Sequence, residues 1–219
     1  MAGAGTGSGV HVLSTDNATV SGNTIDNTNR GGNGVYADAS DNLKVNGNFI
    51  GTVGGNISGN GVAVEGTKKT EIIGNQIKNV AKNGIKFIKG IVDADVVVAE
   101  NDIDATLDGV LFGAGSPSVS NGSTVDVIYN TIVAGKDGVR FEDEVNGSEV
   151  EINSNTITAG SEGIDFEGAI TEASIILGGY TGASFVQQVI NADDSSSGIG
   201  GELTVYAVQS GRQNVTDME

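Results

Sequence analysis

The chain has 219 residues, a formal net charge of −17, 35 glycines, one proline and no cysteine. Only 11 residues are Lys or Arg, which argues against binding to nucleic acid or to an anionic membrane, because phosphate recognition requires clustered basic side chains. The lack of cysteine excludes a disulfide framework, a thiolate metal site and a cysteine nucleophile.

Residues 1–8 are predicted to be a flexible N-terminus. They contain neither the basic region nor the apolar core of a signal peptide, and no membrane insertion is expected. A repeat begins at Gly9 without an amphipathic helix to cover its first unit. Since an open repeat end is an unpaired sheet edge, we expect flanking domains or end-to-end self-association.

From Gly9 onward two motifs recur in phase, with steps of 23 to 29 residues. The first is a glycine followed by an apolar-x-apolar strand, and the second is Asn-x-Ile. A period in this range indicates stacked supersecondary units that share one core. The glycines are Gly9, Gly34, Gly61, Gly84, Gly109, Gly138 and Gly163, and the asparagines are Asn23, Asn48, Asn75, Asn101, Asn130 and Asn155.

A second strand precedes most of the Asn-x-Ile motifs. The residues five and three positions before the asparagine are apolar in the pairs Leu43/Val45, Val96/Val98, Val125/Val127 and Val150/Ile152. Alternation over such short runs predicts half-buried strands. No stretch provides a crossover helix, a Leu-x-x-Leu-x-Leu frame or the repeats of about 40 residues that a propeller requires. The sequence therefore predicts an all-β parallel solenoid of about seven coils over residues 9–182.

In such a solenoid, equivalent residues stack about 4.8 Å apart. The six asparagines are then expected to form a structural ladder, because a side-chain amide has both donors and an acceptor. The ladder stops near Tyr180. Residues 183–208 are predicted to form an irregular last coil or cap with a strand at 203–208, and residues 209–219 a tail.

The phrases VSGNTI (20–25), VNGNFI (45–50), IIGNQI (72–77) and INSNTI (152–157) resemble the repeats of right-handed parallel β-helix proteins with Asn-x-Ile motifs. That group includes pectate-lyase-like enzymes, alginate epimerases and bacterial surface proteins. The resemblance covers roughly residues 9 to 182 and implies a single right-handed β-helix in an extracellular or bacterial cell-surface protein. It does not define an activity, since one scaffold hosts many chemistries.

The outward positions of the glycine strands, two and four residues after each glycine, are the predicted floor of a binding groove. Glu142 and Glu167 come from adjacent coils, so their carboxyls are expected about 5 Å apart, as in a retaining glycosidase. The favoured interpretation is that these residues form no sugar site, but an Arg-carboxylate surface network that offsets the repulsion between stacked like charges. The candidate ligand-binding residues are Tyr36, Asp38, Glu65, Arg140, Glu142, Asp165 and Glu167.

No catalytic residue is predicted. The signatures that polysaccharide-active members of the resembled group would show are missing, and the lone histidine, His11, has no titratable partner near it in sequence. Carboxylates with Lys86 are the remaining option for an enzyme. No cofactor is predicted either, because no run matches a calcium-binding loop. Calcium is left open, since it binds carboxylate oxygens.

We therefore predict a structural or adhesive segment that binds a polysaccharide or cell-surface glycan along its flank, beside the longest loops, 114–123 and 142–148. The alternative is a polysaccharide lyase, glycoside hydrolase or epimerase that acts through surface carboxylates.

Overall fold

The chain folds as a right-handed parallel β-solenoid in a computed structural model. The structure describes residues 7–26, 28, 31–51, 55–113, 115 and 117–178, together with the backbone of strands at 181–182, 188–192, 202–205 and 215–216. The named strands form four parallel sheets, and no helix occurs among the described residues. The predicted fold class is confirmed.

The first sheet contains the glycine strands. Its members are Val10–Leu13, Val35–Asp38, Val62–Glu65, Ile85–Phe87, Val110–Phe112, Val139–Phe141, Glu162–Phe166, Gln188–Ala192 and Val215–Thr216. The second sheet contains the alternating strands before the Asn-x-Ile motifs. Its members are Thr19–Ser21, Leu43–Asn46, Lys69–Ile73, Asp95–Ala99, Thr124–Ile128, Glu149–Asn153, Ser174–Gly178 and Glu202–Val205.

In the first six coils, each strand of the third sheet begins at the residue after the ladder asparagine. Its members are Thr24–Ile25, Phe49–Ile50, Gln76–Val80, Asp102–Ala105, Thr131–Ala134, Thr156–Ala159 and Thr181–Gly182. A fourth sheet, which the sequence analysis did not predict, places short strands within both of the expected long loops. Its members are Ile91–Val92, Val119–Ser120, Val145–Asn146 and Ile170–Thr171.

Seven glycine strands up to Phe166 enclose about six turns, one fewer than the predicted seven coils. Beyond residue 182, three strands continue the first and second sheets. One is Glu202–Val205, which overlaps the predicted strand 203–208 at residues 203–205, and another is Val215–Thr216, within the predicted tail. The N-terminal segment 1–6 and the rest of the predicted cap and tail lie outside the described residues.

The core contains two continuous stacks. Phe87, Phe112, Phe141 and Phe166 stack with nearly parallel rings whose centroids are 4.5 to 4.9 Å apart. The isoleucines of the Asn-x-Ile motifs form the second stack, and each is at most 7% exposed. The two motifs meet in the core, since a Cβ on Gly84 would lie 2.3 Å from Ile103 Cγ2 and 2.6 Å from the Gly109 carbonyl oxygen. Only glycine fits there.

Candidate functional site

The predicted asparagine ladder, here the first ladder, is joined by hydrogen bonds along the axis. In each adjacent pair, the backbone N and the Nδ2 of one asparagine donate to the Oδ1 of the asparagine in the next coil, at 2.8 to 3.0 Å. Asn48 to Asn155 are about 1% exposed, whereas Asn23 at the end is exposed. This ladder satisfies polar groups inside the solenoid and leaves no ligand-binding surface.

A second ladder is formed by the residue that precedes each repeat glycine from Gly34 onward. Its hydrogen bonds run in the opposite direction, because the backbone N of each member donates to the side-chain oxygen of the member one coil earlier, at 2.9 to 3.3 Å. Its members are Asn33, Asn60, Asn83, Asp108, Asp137 and Glu162.

The second ladder changes chemistry along the chain. Asn60 and Asn83 each donate a second hydrogen bond from Nδ2 to the preceding amide oxygen, at 2.9 and 3.1 Å. From Asp108 onward the side chains are carboxyls, which have no amide hydrogen to donate. Three acidic groups are therefore stacked on adjacent coils where the earlier coils stack amides.

Arg140 lies beside this acidic end, three residues after Asp137 in the chain. Its guanidinium is 15% exposed and lies within 4.0 Å of five carboxylates. The shortest contact, 2.5 Å, joins Nη2 to Glu167 Oε1, while Nε is buried without a hydrogen bond. Arg140 and these carboxylates are called the Arg140 cluster, and its acids are Asp108, Asp137, Glu142, Asp165 and Glu167.

The pKa values within the second ladder are displaced in different directions. Burial and a hydrogen bond with Asp137 raise the pKa of Glu162 to about 7. Burial also raises the pKa of Asp108. Burial acts in the same sense on Asp137, but hydrogen bonds with Glu162 and the Lys136 ammonium outweigh it and hold the pKa of Asp137 below its usual value. Such separation is how a protein holds neighbouring acids in different protonation states.

Three of these acids also converge geometrically. One carboxylate oxygen from each of Asp137, Glu162 and Asp165 lies within 4.8 Å of the others. Asp137 is fully buried and Asp165 is 4% exposed, whereas Glu162 is half-buried.

A second polar group, the Tyr36 cluster of His11, Tyr36, Glu65 and Lys89, lies at the opposite end of the same sheet face. The rings of His11 and Tyr36 are 4.9 Å apart. Tyr36 donates a hydrogen bond to Glu65 Oε2 at 2.8 Å, which raises the pKa of Tyr36 to about 12. Lys89 Nζ lies 2.6 Å from Glu65 Oε1 and is the main reason that the pKa of Glu65 is lowered.

The structure brings the predicted site residues into two groups. Arg140, Glu142, Asp165 and Glu167 lie together in the Arg140 cluster. Tyr36 and Glu65 lie in the Tyr36 cluster, and Asp38 pairs in register with Glu65. Whether either group binds a ligand stays a prediction.

Four positions predicted to face outward are buried, and one of them is Gly113. Ala63, Leu111 and Asp165 are at most 4% exposed. Leu111 pairs in register with Lys86 on one side and Arg140 on the other, and long charged side chains can bury neighbouring apolar surface with their stems.

Sequence reasoning missed Asp108, Asp137 and Glu162. The signal was present, because each stands directly before a repeat glycine, where earlier coils have asparagine. The change from asparagine to aspartate and glutamate along the chain hid this recurrence.

A family model described as a right-handed β-helix region matches residues 7–180. The chain belongs to this family. As a right-handed β-helix protein it has the expected continuous core, and the match extends over all seven glycine strands up to Phe166. No curated protein matches the sequence. In the described residues no helix is long and apolar enough to cross a membrane.

Proposed function

We propose that this β-helix is a structural or adhesive segment of a bacterial extracellular or cell-surface protein, and that it binds carbohydrate along the outer face of its first sheet. The observation that carries the proposal is the placement of the Tyr36 and Arg140 clusters on one face. Tyr36 and Asp165 occupy equivalent register positions five strands apart, which is about 24 Å at the usual strand spacing.

The groups at the two ends suit a sugar polymer. Tyr36 offers an aromatic ring, and Glu142 and Glu167 are partly exposed carboxylates that accept hydrogen bonds from hydroxyl groups. Arg140 holds both carboxylates on one guanidinium, and such fixed acceptors lose little freedom on binding. A polymer that spans the face would contact both clusters at once.

A binding assay with a panel of acidic and neutral polysaccharides tests this function. We expect retardation by at least one polysaccharide in affinity electrophoresis, and weaker retardation for Tyr36→Leu and Glu167→Gln. Asp126→Asn, on the outer face of the second sheet, is the matched control and should bind like the parent. The proposal fails if no polysaccharide retards the protein, or if the three variants behave alike.

A polysaccharide-active enzyme is the second candidate, favoured by one observation. The pKa values of Asp137 and Glu162 are pushed apart, with that of Glu162 near 7, as for a general acid beside an ionised partner. The same panel should then yield new reducing ends or unsaturated products. Turnover that Glu162→Gln abolishes would establish the enzyme, and intact polysaccharides after long incubation would reject it.

A further inference from the structure

Asn-Gly pairs occur six times in the chain, all within the described residues, and the fold holds them in different settings. The pair is chemically special because glycine has no Cβ to shield its backbone nitrogen, which can therefore attack the asparagine side chain. How firmly the fold holds each pair decides whether it can react. Three pairs are in the second ladder, at Asn33/Gly34, Asn60/Gly61 and Asn83/Gly84, and three lie elsewhere, at Asn46/Gly47, Asn121/Gly122 and Asn146/Gly147.

The three ladder pairs are held by hydrogen bonds along the axis. Asn60 Nδ2 donates to Asn33 Oδ1 at 2.9 Å, and Asn60 Oδ1 accepts from the backbone N and Nδ2 of Asn83 at 3.3 and 3.1 Å. Asn83 Oδ1 in turn accepts from the Asp108 backbone N at 3.1 Å. Rotation of these side chains toward the following glycine would break bonds of the ladder, which protects the three pairs from attack.

Asn46 and Asn146 are also restrained, because each is the last residue of a strand. Asn46 ends the strand Leu43–Asn46 and is half-buried. Asn146 ends the strand Val145–Asn146 and is half-buried, and its Nδ2 donates to Glu144 Oε1 at 3.0 Å. The tripeptide Asn-Gly-Ser at 146–148 is the same as the one at 121–123, one coil earlier, so the two pairs differ mainly in how the fold holds them.

The Asn121/Gly122 pair is in a turn outside every strand, and both residues are exposed. Their φ angles are 58° and 72°, and no hydrogen bond of the Asn121 side chain occurs within the described residues. This turn also has one residue more than its neighbours, since residues 121–123 connect two strands that residues 93–94 and 147–148 connect in the coils before and after.

One backbone hydrogen bond still holds Gly122. Its N donates to the Gly147 carbonyl at 2.7 Å, but the glycines of the other five pairs donate to the adjacent coil in the same way, so this bond does not distinguish the pairs. An exposed turn with an extra residue opens at a lower free-energy cost than a strand or a buried ladder. Asn121 is therefore the asparagine with the greatest freedom to reach the following nitrogen.

We propose that Asn121 is a self-modification site, at which the Gly122 backbone nitrogen attacks Asn121 Cγ. The new N–C bond closes a succinimide ring, and the side-chain nitrogen leaves as ammonia with the proton that Gly122 N loses. Water then opens the ring at either carbonyl, which yields aspartate or isoaspartate at position 121. Either product adds one negative charge to the turn, and isoaspartate also lengthens the main chain by one carbon. This chemistry does not depend on carbohydrate binding.

Peptide mapping of the aged protein tests the site. The whole chain is incubated at mildly alkaline pH, and samples are digested and analysed by mass spectrometry for conversion at each Asn-Gly pair. We expect Asn121 to convert at least tenfold faster than Asn146 or any ladder asparagine, with release of ammonia. Labelling by protein isoaspartyl methyltransferase should appear in the peptide that contains position 121.

Two controls assign the reactivity to the fold. The chain unfolded in guanidinium chloride should convert Asn121 and Asn146 at similar rates, because the two tripeptides are identical. Asn121→Gln should abolish the labelling of that peptide, since its longer side chain forms a less favoured ring, and its far-UV circular dichroism should match the parent. The inference is overturned if Asn121 stays intact in the folded protein, if Asn146 or a ladder asparagine converts as fast, or if the difference persists in the unfolded chain.

Discussion

The two polar ladders run along the same solenoid but differ in composition. The first ladder is asparagine in all six coils, and each of the four inner amides both donates to and accepts from a neighbouring asparagine along the axis. The second ladder begins in the same way, then changes to Asp108, Asp137 and Glu162. An amide stack is electrically neutral, whereas a carboxyl stack requires Arg140, a proton or another cation. The first ladder therefore stabilises the fold along its whole length. The carboxyls of the second ladder are not needed for the fold, since amides occupy the same positions in the earlier coils.

Breaking the first ladder in its middle should have the largest effect. Asn101 Oδ1 accepts from the backbone N and Nδ2 of Asn75, and its Nδ2 donates to the Ile72 carbonyl at 2.8 Å. Asn101→Ala leaves these buried groups without partners, so the free energy of unfolding should fall by about 3 kcal/mol in urea denaturation. Asn23→Ala, at the exposed end, is the control and should cost under about 1 kcal/mol. Equal losses would mean that the ladder is not the cause.

Converting one acidic member of the second ladder to an amide should stabilise the protein. Asp108 is buried, and burial raises its pKa. Its backbone N donates a hydrogen bond to Asn83 Oδ1, and an amide side chain at position 108 would donate a second one to the same oxygen. Asp108→Asn should raise the free energy of unfolding at pH 8 by about 1.5 kcal/mol. A loss of stability instead would show that Arg140 depends on the Asp108 charge.

The acidic end should also make stability depend on pH. The pKa of Glu162 is raised to about 7 from an ordinary value of 4.5, so the folded protein binds more protons than the unfolded chain between these values. Stability should therefore fall as pH rises through this window, by about 1 kcal/mol after allowance for solvent screening. Urea denaturation at several pH values, with a chelator present, measures this slope. Glu162→Gln should remove most of this pH dependence of stability. If the slope is unchanged in that variant, another titratable group causes it.

The smallest expected effect concerns the residue before each first-ladder asparagine. All six have positive φ, and they are glycine in the first three coils but Glu100, Tyr129 and Ser154 in the later ones. Tyr129 has a φ of 56° and is 63% exposed. Tyr129→Gly should relieve backbone strain and raise stability by about 0.5 kcal/mol after the entropy cost of glycine.

Gly74→Ala is the reciprocal control for this last prediction. Gly74 has a φ of 65°, and an added Cβ would meet no atom within 4 Å, so only backbone strain is introduced. We expect a loss of about 1 kcal/mol by thermal denaturation. Opposite signs for the two substitutions support the strain argument, and a gain at Gly74 would contradict it.

The first ladder was predictable because a single residue type recurs at a nearly constant step, and the alternation around Leu43, Val96, Val125 and Val150 correctly predicted which side chains are buried. The second ladder was not predicted, because its hydrogen bonds use the backbone N of each member and tolerate Asn, Asp or Glu. The fourth sheet was missed for a related reason. Its strands are two residues long, too short to show alternation.

The sequence by itself determined the period, the parallel stacking and the asparagine ladder, since these depend on residues that repeat along one column. Only the tertiary structure decided that Arg140 also meets Asp108 and Asp137 of the second ladder. Contacts between side chains of different stacks depend on the cross-sectional shape of the coil. That shape cannot be read from the spacing of residues along the chain. Asp137, Glu162 and Asp165 come from two neighbouring coils, and only the folded solenoid brings one carboxylate oxygen from each within 4.8 Å of the others.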